Sequence, residues 1–241
     1  MKSLINVLYT PLDCAPQPEI DLIEFKNWIR IYWEAAGERR EHLKKIGKVG
    51  EDKVPNFPWK LTVVYNSHDG WAGNFEKKFP ELTDYFVKAF DLELSDVVTV
   101  LLLPVKEDHE GLGFWHQDHD DYGLRMYIDF SDPGGKLLLK KTKLPYDTQP
   151  KISPRYFSKG LAPNIEDFLE DDVRECKIVD PKQCFFLNNI RSAHATWTSK
   201  SNVSRIAVIV YHNGSDSVLS KIEKLVLRSV EKYKDYAVTW D

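Results

Sequence analysis

The chain has 241 residues, of which 42% are hydrophobic and 29% charged, and its formal net charge is -4. A chain of this length buries a sizeable core without disulfides, and its balance is that of an ordinary soluble globular protein. It carries no overall positive field toward nucleic acid or an acidic membrane, and no apolar run approaches the length of a membrane span.

The three cysteines, Cys14, Cys176 and Cys184, show no CxxC spacing. They argue for a reducing compartment and against structural zinc. The start, Met1-Lys2-Ser3-Leu4-Ile5, is too short an apolar run for a signal peptide, so the expected location is cytoplasmic. We expect a single domain over 1–241, with an N-terminal helical support region at 1–95. A core at 96–214 with a loop insertion at 141–175 follows, then a C-terminal helix at 215–241.

Residues 1–17 read as an extended, proline-punctuated lead-in. From about Pro18 a long helical pattern begins, with Ile20, Ile23, Trp28, Ile31 and Tyr32 near helical spacing, and it fades at Gly47-Lys48-Val49-Gly50. Trp59 to Tyr65 predicts a strand, and Asn66-Ser67-His68-Asp69-Gly70 a turn. Phe75 to Phe90 predicts a second helix with Phe79, Leu82, Phe86 and Phe90 along one side. Pro80 splits it or sits in its first turn.

The run Asp96 to Pro104 is almost wholly apolar, as in a strand buried on both faces. A strand at Arg125 to Phe130, a turn at Ser131-Asp132-Pro133-Gly134-Gly135 and a strand at Lys136 to Leu139 follow. Residues 141–175, with Pro145, Pro150, Pro154 and Pro163, read as a long loop with one short helix. Cys184 to Leu187 and Ser204 to Tyr211 are the last clear strands. Asp216 to Tyr236 is an amphipathic helix whose stripe of Val218, Leu219, Ile222, Leu225, Val226 and Val230 is core packing. Helices, then short antiparallel strands, then a helix predict a mainly β sandwich or barrel with flanking helices.

Chemistry concentrates in Gly113-Phe114-Trp115-His116-Gln117-Asp118-His119-Asp120. In a strand, residues two apart share a face, so His116 and Asp118 project together. Imidazole plus carboxylate, with a second imidazole from elsewhere, is a facial set used for non-heme Fe(II). An HxD triplet alone also arises by chance in a polar turn. Downstream, however, His194 follows a short turn after one strand, and Arg205 opens the next strand eleven residues later. HxD, then a distant His, then an Arg is a much rarer order.

In that order the chain resembles the Fe(II)/2-oxoglutarate-dependent oxygenases, whose fold is the double-stranded β-helix, a cupin-like jelly roll. Arg125-Met126-Tyr127-Ile128-Asp129-Phe130-Ser131-Asp132-Pro133-Gly134-Gly135-Lys136-Leu137-Leu138 is similar to the prolyl-4-hydroxylase-like branch. So is Asp180 to Asn188, before the distal His. The similarity covers roughly residues 97–211, about half of the chain. Two departures stand out. Ala207 replaces the usual small polar residue two positions after the anchoring Arg, and a glycine often found at Gln183 or Cys184 is absent.

The resemblance implies that His116, Asp118 and His194 hold Fe(II), and that Arg205 takes the far carboxylate of 2-oxoglutarate with its planar fork. It implies that Tyr127 hydrogen-bonds the co-substrate and that Arg125 meets either co-substrate or prime substrate. The alternative for the face of Arg125, Tyr127 and Asp129 is contact with water. The implied reaction uses O2 and releases succinate and CO2, with ascorbate as a candidate reductant. It hydroxylates a C–H bond of an amino acid, prolyl residue, peptide or other small molecule. Asp118 favours hydroxylation over halogenation, because related halogenases have a small residue there. Two rivals remain: a cupin-type metalloprotein acting as isomerase or keto-acid-independent dioxygenase, and a non-catalytic binding module on the same fold.

Overall fold

The computed structural model describes residues 4, 6–46, 62–104, 111–112, 122–128, 135–141, 176–180, 182–188, 192–198 and 206–239. Strand β1 (Val7–Pro11) comes first, then helix α1 (Leu22–Lys45). The Asp21 side chain opens α1 by accepting the Ile23 and Glu24 amides, each at 2.9 Å, which satisfies two donors the first turn leaves unpaired. The buried face of α1 is Phe25, Trp28 and Ile29, with Tyr32 half-buried. This corrects the expected stripe, since Ile23 is 75% and Ile31 57% exposed. Aromatic packing sets the rotation: Phe25 meets Phe79 edge-on at 5.3 Å, and Trp28 meets Phe75 edge-on at 5.0 Å.

Strand β2 (Thr62–Asn66) forms where a strand was expected and pairs with β3 (Gly70–Trp71) across the expected turn, with Asn66 Oδ1 accepting the His68 and Asp69 amides. The helix expected at 75–90 breaks in two. Helix α2 (Phe75–Lys78) ends at Phe79, and Pro80 takes the first turn of α3 (Pro80–Lys88), where its missing N–H costs nothing. Phe79, Leu82, Phe86 and Phe90 are all buried, as expected.

The strands continue with β4 (Val97–Pro104), β5 (Gly111–Leu112), β6 (Tyr122–Ile128), β7 (Gly135–Lys141) and β8 (Cys176–Val179). Then come β9 (Cys184–Asn188), β10 (Ser192–Thr198) and β11 (Ile206–His212). Helix α4 (Asp216–Lys232) buries the expected aliphatic stripe from Val218 to Val226, with Val230 partly buried against the same core, and β12 (Val238–Thr239) closes the chain's described part. Val98 is exposed, so β4 is not covered on both faces along its whole length. Strands β3, β5, β8, β10 and β12 were not expected. Of the loop expected at 141–175, Lys141 ends β7 and residues 142–175 lie outside the described residues.

Eight strands form one antiparallel sheet in the order β12-β1-β9-β6-β11-β4-β2-β3, and four form a second in the order β5-β10-β7-β8. From β4 to β11 the chain crosses repeatedly between them: β4 large, β5 small, β6 large, β7 and β8 small, β9 large, β10 small, β11 large. Alternation along the strands splits the core in two. Leu124, Met126, Ile128, Phe186, Val208 and Val210 face the layer that α1, α3 and α4 cover. On the opposite face, Tyr127, Phe185 and Leu187 of the large sheet share a buried cluster with Leu137 and Leu139 of the small one. The fold is therefore mostly β, with a large antiparallel sheet and a few helices. Among the described residues no helix is long and apolar enough to cross a membrane.

Candidate functional site

The inter-sheet cluster is built from alternating residues of β6, β9 and β11 on one side. Ala207 stands opposite Tyr127, and Arg125 is flanked by Ile209 on β11 and Phe185 on β9. Directly paired residues of antiparallel strands share a face, so these side chains form one surface. Tyr127 is only 4% exposed, its amide donates to the Gln183 carbonyl at 2.7 Å, and its ring lies 5.5 Å from that of Phe185. Tyr9, from β1, adds a third ring 5.6 Å from Phe185. The Tyr9 hydroxyl accepts the Lys182 amide at 3.1 Å, and burial pushes its ionisation well above the ordinary tyrosine range.

His194 comes from the facing sheet. It lies within β10, directly opposite Leu139 on β7, and is 1% exposed. Leu139 is buried in the cluster with Tyr127, so the shared face of His194 and Leu139 is the inter-sheet face. The sequence reading put His194 after a turn; the structure sets it in mid-strand, held by pairing with β7. Residues 192–198 are too polar and small to announce a strand.

Tyr127 is buried and does not face water, while Arg125 is half-buried. His194, Tyr127 and Arg125 thus all border the space between the sheets. His116, Asp118 and Arg205 lie outside the described residues, as does Asp129. Among the described residues no group of three or more His, Cys, Asp or Glu side chains gathers as a metal cluster. Phe185, Leu139 and Tyr9 line this space and were not singled out from sequence. The continuous apolar run from Cys184 to Leu187, the mark of a strand covered on both faces, was the available signal.

A histidine buried on the inner face of a sheet fits the donor chemistry expected of an Fe(II) ligand, because neutral imidazole is a good nitrogen donor for that ion.

No family model matches the chain, and no curated protein matches it. Among solved structures it is similar to AviO1 from Streptomyces viridochromogenes Tue57, at 15% identity and a TM-score of 0.41, covering 89% of this chain and 93% of that one. It is also similar to EvdMO1, at 16% identity and a TM-score of 0.38, covering 89% of this chain and 49% of that one. The chain thus spans about half the length of EvdMO1.

Proposed function

We propose that this protein is an Fe(II)- and 2-oxoglutarate-dependent dioxygenase that hydroxylates a C–H bond of an amino acid, prolyl residue or other small substrate. We further propose that its core is a double-stranded β-helix. The observation that carries the reading is His194, the distal histidine of the HxD…His…Arg order, buried on the inter-sheet face with Tyr127 on the opposing sheet. The winding of β4 to β11 between two antiparallel sheets supports the jelly-roll architecture.

In this reading His116, Asp118 and His194 hold the iron, which when bound supplies the oxygen chemistry. His194 ligates as the neutral imidazole, so iron affinity falls at acid pH. Arg205 takes the distal carboxylate of 2-oxoglutarate bidentately. Tyr127 gives that co-substrate a hydrogen bond, and Ala207 beside it leaves room for the acid. Leu137, Leu139, Phe185 and Leu187 keep water from the reacting centre. Arg125, with its stem between Ile209 and Phe185, orients an anionic group of co-substrate or substrate.

Anaerobic titration with Fe(II) and then 2-oxoglutarate tests the reading through a visible charge-transfer band, followed by succinate release screened over amino acids and peptides. A band with substrate-stimulated succinate is the expected result. Absence of both would return the protein to the cupin-type or non-catalytic readings.

A further inference from the structure

The joint between β11 and α4 holds Asn213-Gly214-Ser215, the chain's one Asn-Gly pair. Asn213 is exposed. Its amide donates to the Asp96 carbonyl at 2.9 Å, and its Nδ2 to the Ser95 carbonyl at 3.2 Å. Its Oδ1 accepts the Ser215 amide at 2.9 Å, which folds the carboxamide back over the intervening Gly214. The Gly214 amide donates to His212 Nδ1 at 3.1 Å, within the reach that a general base needs. Accepting there requires a neutral ring with its lone pair on Nδ1. Gly214 has φ 69°, a conformation that suits glycine, and no Cβ crowds its nitrogen.

These are the parts of an acyl-transfer site: a nucleophile, a base touching it, and a donor on the carbonyl oxygen. We propose that the fold makes Asn213-Gly214 a self-modifying site, at which His212 promotes deamidation of Asn213 through a cyclic succinimide. Gly214 N bonds to Asn213 Cγ as its proton passes to His212 Nδ1. Negative charge grows on Oδ1, and the Ser215 N–H meets it. The Cγ–Nδ2 bond then breaks, the imidazolium returns the proton, and ammonia leaves. Water opens the ring at either carbonyl, its hydroxyl going to carbon and its proton to nitrogen. The products are an aspartyl or an isoaspartyl linkage at position 213.

Asn66 is the contrast within the same chain. Its Oδ1 accepts the His68 amide two residues on, closing the same ring as at Asn213. Yet the intervening amide, that of Ser67, donates to the Val98 carbonyl at 2.9 Å, and a carbonyl is no base. Conversion at Asn213 has a structural consequence. It removes the donor to the Ser95 carbonyl and sets a carboxylate there, loosening the β11–α4 joint from the turn before β4. The oxygenase reading uses none of these residues.

The test incubates the full chain at neutral pH, folded and in guanidinium chloride, and follows position 213 over time by peptide mapping. The folded parent should convert several-fold faster than the denatured chain, with Asn66 intact over the same period. Folded His212→Gln should convert several-fold more slowly than the folded parent. A folded parent no faster than the denatured chain would overturn the proposal, whether or not the variant folds. So would a folded His212→Gln that keeps the parent's rate, or an Asn66 that converts as fast as Asn213.

Discussion

His194 stands directly opposite Leu139 in the β10–β7 ladder, and Leu139 is fully buried in the same cluster as Tyr127. That register places an imidazole from the small sheet toward the aromatic wall of the large one. We expect His194→Ala to weaken Fe(II) binding by about a hundredfold or more, since loss of supporting contacts alone costs 10–100-fold at metal sites. Anaerobic equilibrium binding checks this, with near-UV circular dichroism showing that the fold survives. Unchanged iron affinity in a folded variant would remove His194 from the proposed metal site.

Tyr127→Phe separates hydrogen bonding from packing. Phenylalanine keeps the ring beside Phe185, at a centroid distance of 5.5 Å in the parent, and loses only the hydroxyl. A hydrogen bond to a charged acceptor is worth about 1.5–3 kcal/mol, so 2-oxoglutarate should bind roughly tenfold more weakly or worse. Titration of the iron-loaded protein with 2-oxoglutarate reads the difference. Equal affinity in parent and variant would leave Tyr127 a packing residue.

Much of this architecture was legible in the sequence where burial alone decides the element. The stripe from Val218 to Val226 and the Phe79, Leu82, Phe86, Phe90 set obey helical spacing, and both are buried. On α1 the rule misfired because two stripes compete. Phe25, Trp28, Ile29 and Tyr32 form one at i, i+3, i+4, i+7, and the Phe25 and Trp28 rings dock on Phe75 and Phe79, leaving Ile23 and Ile31 outside. Strands β8, β10 and β12 were missed because long-range pairing stabilises them, not their own hydrophobicity. In the candidate site, His194 and Tyr127 were legible as residue types in an order. Their burial on facing sheets is a property of register, which no local pattern encodes.

Asn188 closes β9 and is fully buried. Its Nδ2 donates to the Leu4 and Val7 carbonyls, each at 3.1 Å, fastening the start of the chain beside the strand that precedes His194. Asn188→Ala strips both carbonyls of that donor, and buried groups left unmet cost about 1–3 kcal/mol each. We expect a loss of about 2–4 kcal/mol and a urea midpoint lower by about 1 M. Asn66→Ala, at an exposed turn where Oδ1 accepts two amides, should cost less than about 1 kcal/mol. Equal shifts for the two variants would mean that burial does not govern the Asn188 contribution.

Asp96 gives the fold a pH dependence of known sign. It ends the 3-10 turn before β4, and its carboxylate accepts Lys221 Nζ of α4 at 2.7 Å and the Glu93 amide at 3.0 Å. Burial works to raise its ionisation, but the Lys221 and Glu93 hydrogen bonds outweigh this and hold the carboxyl below its ordinary value. A depressed folded-state pKa means stability that is fully present above the unfolded value, about 3.9, and lost as pH falls through the lower folded value. Asp96→Asn should therefore lower the urea midpoint at pH 7 and at pH 5, and the gap from the parent should close below about pH 3. Raising the salt concentration should narrow the gap at pH 7, because Lys221 reaches solvent. A gap that persists undiminished at the acid end would show that Asn disturbs the turn itself and that the β4–α4 tie is not ionic.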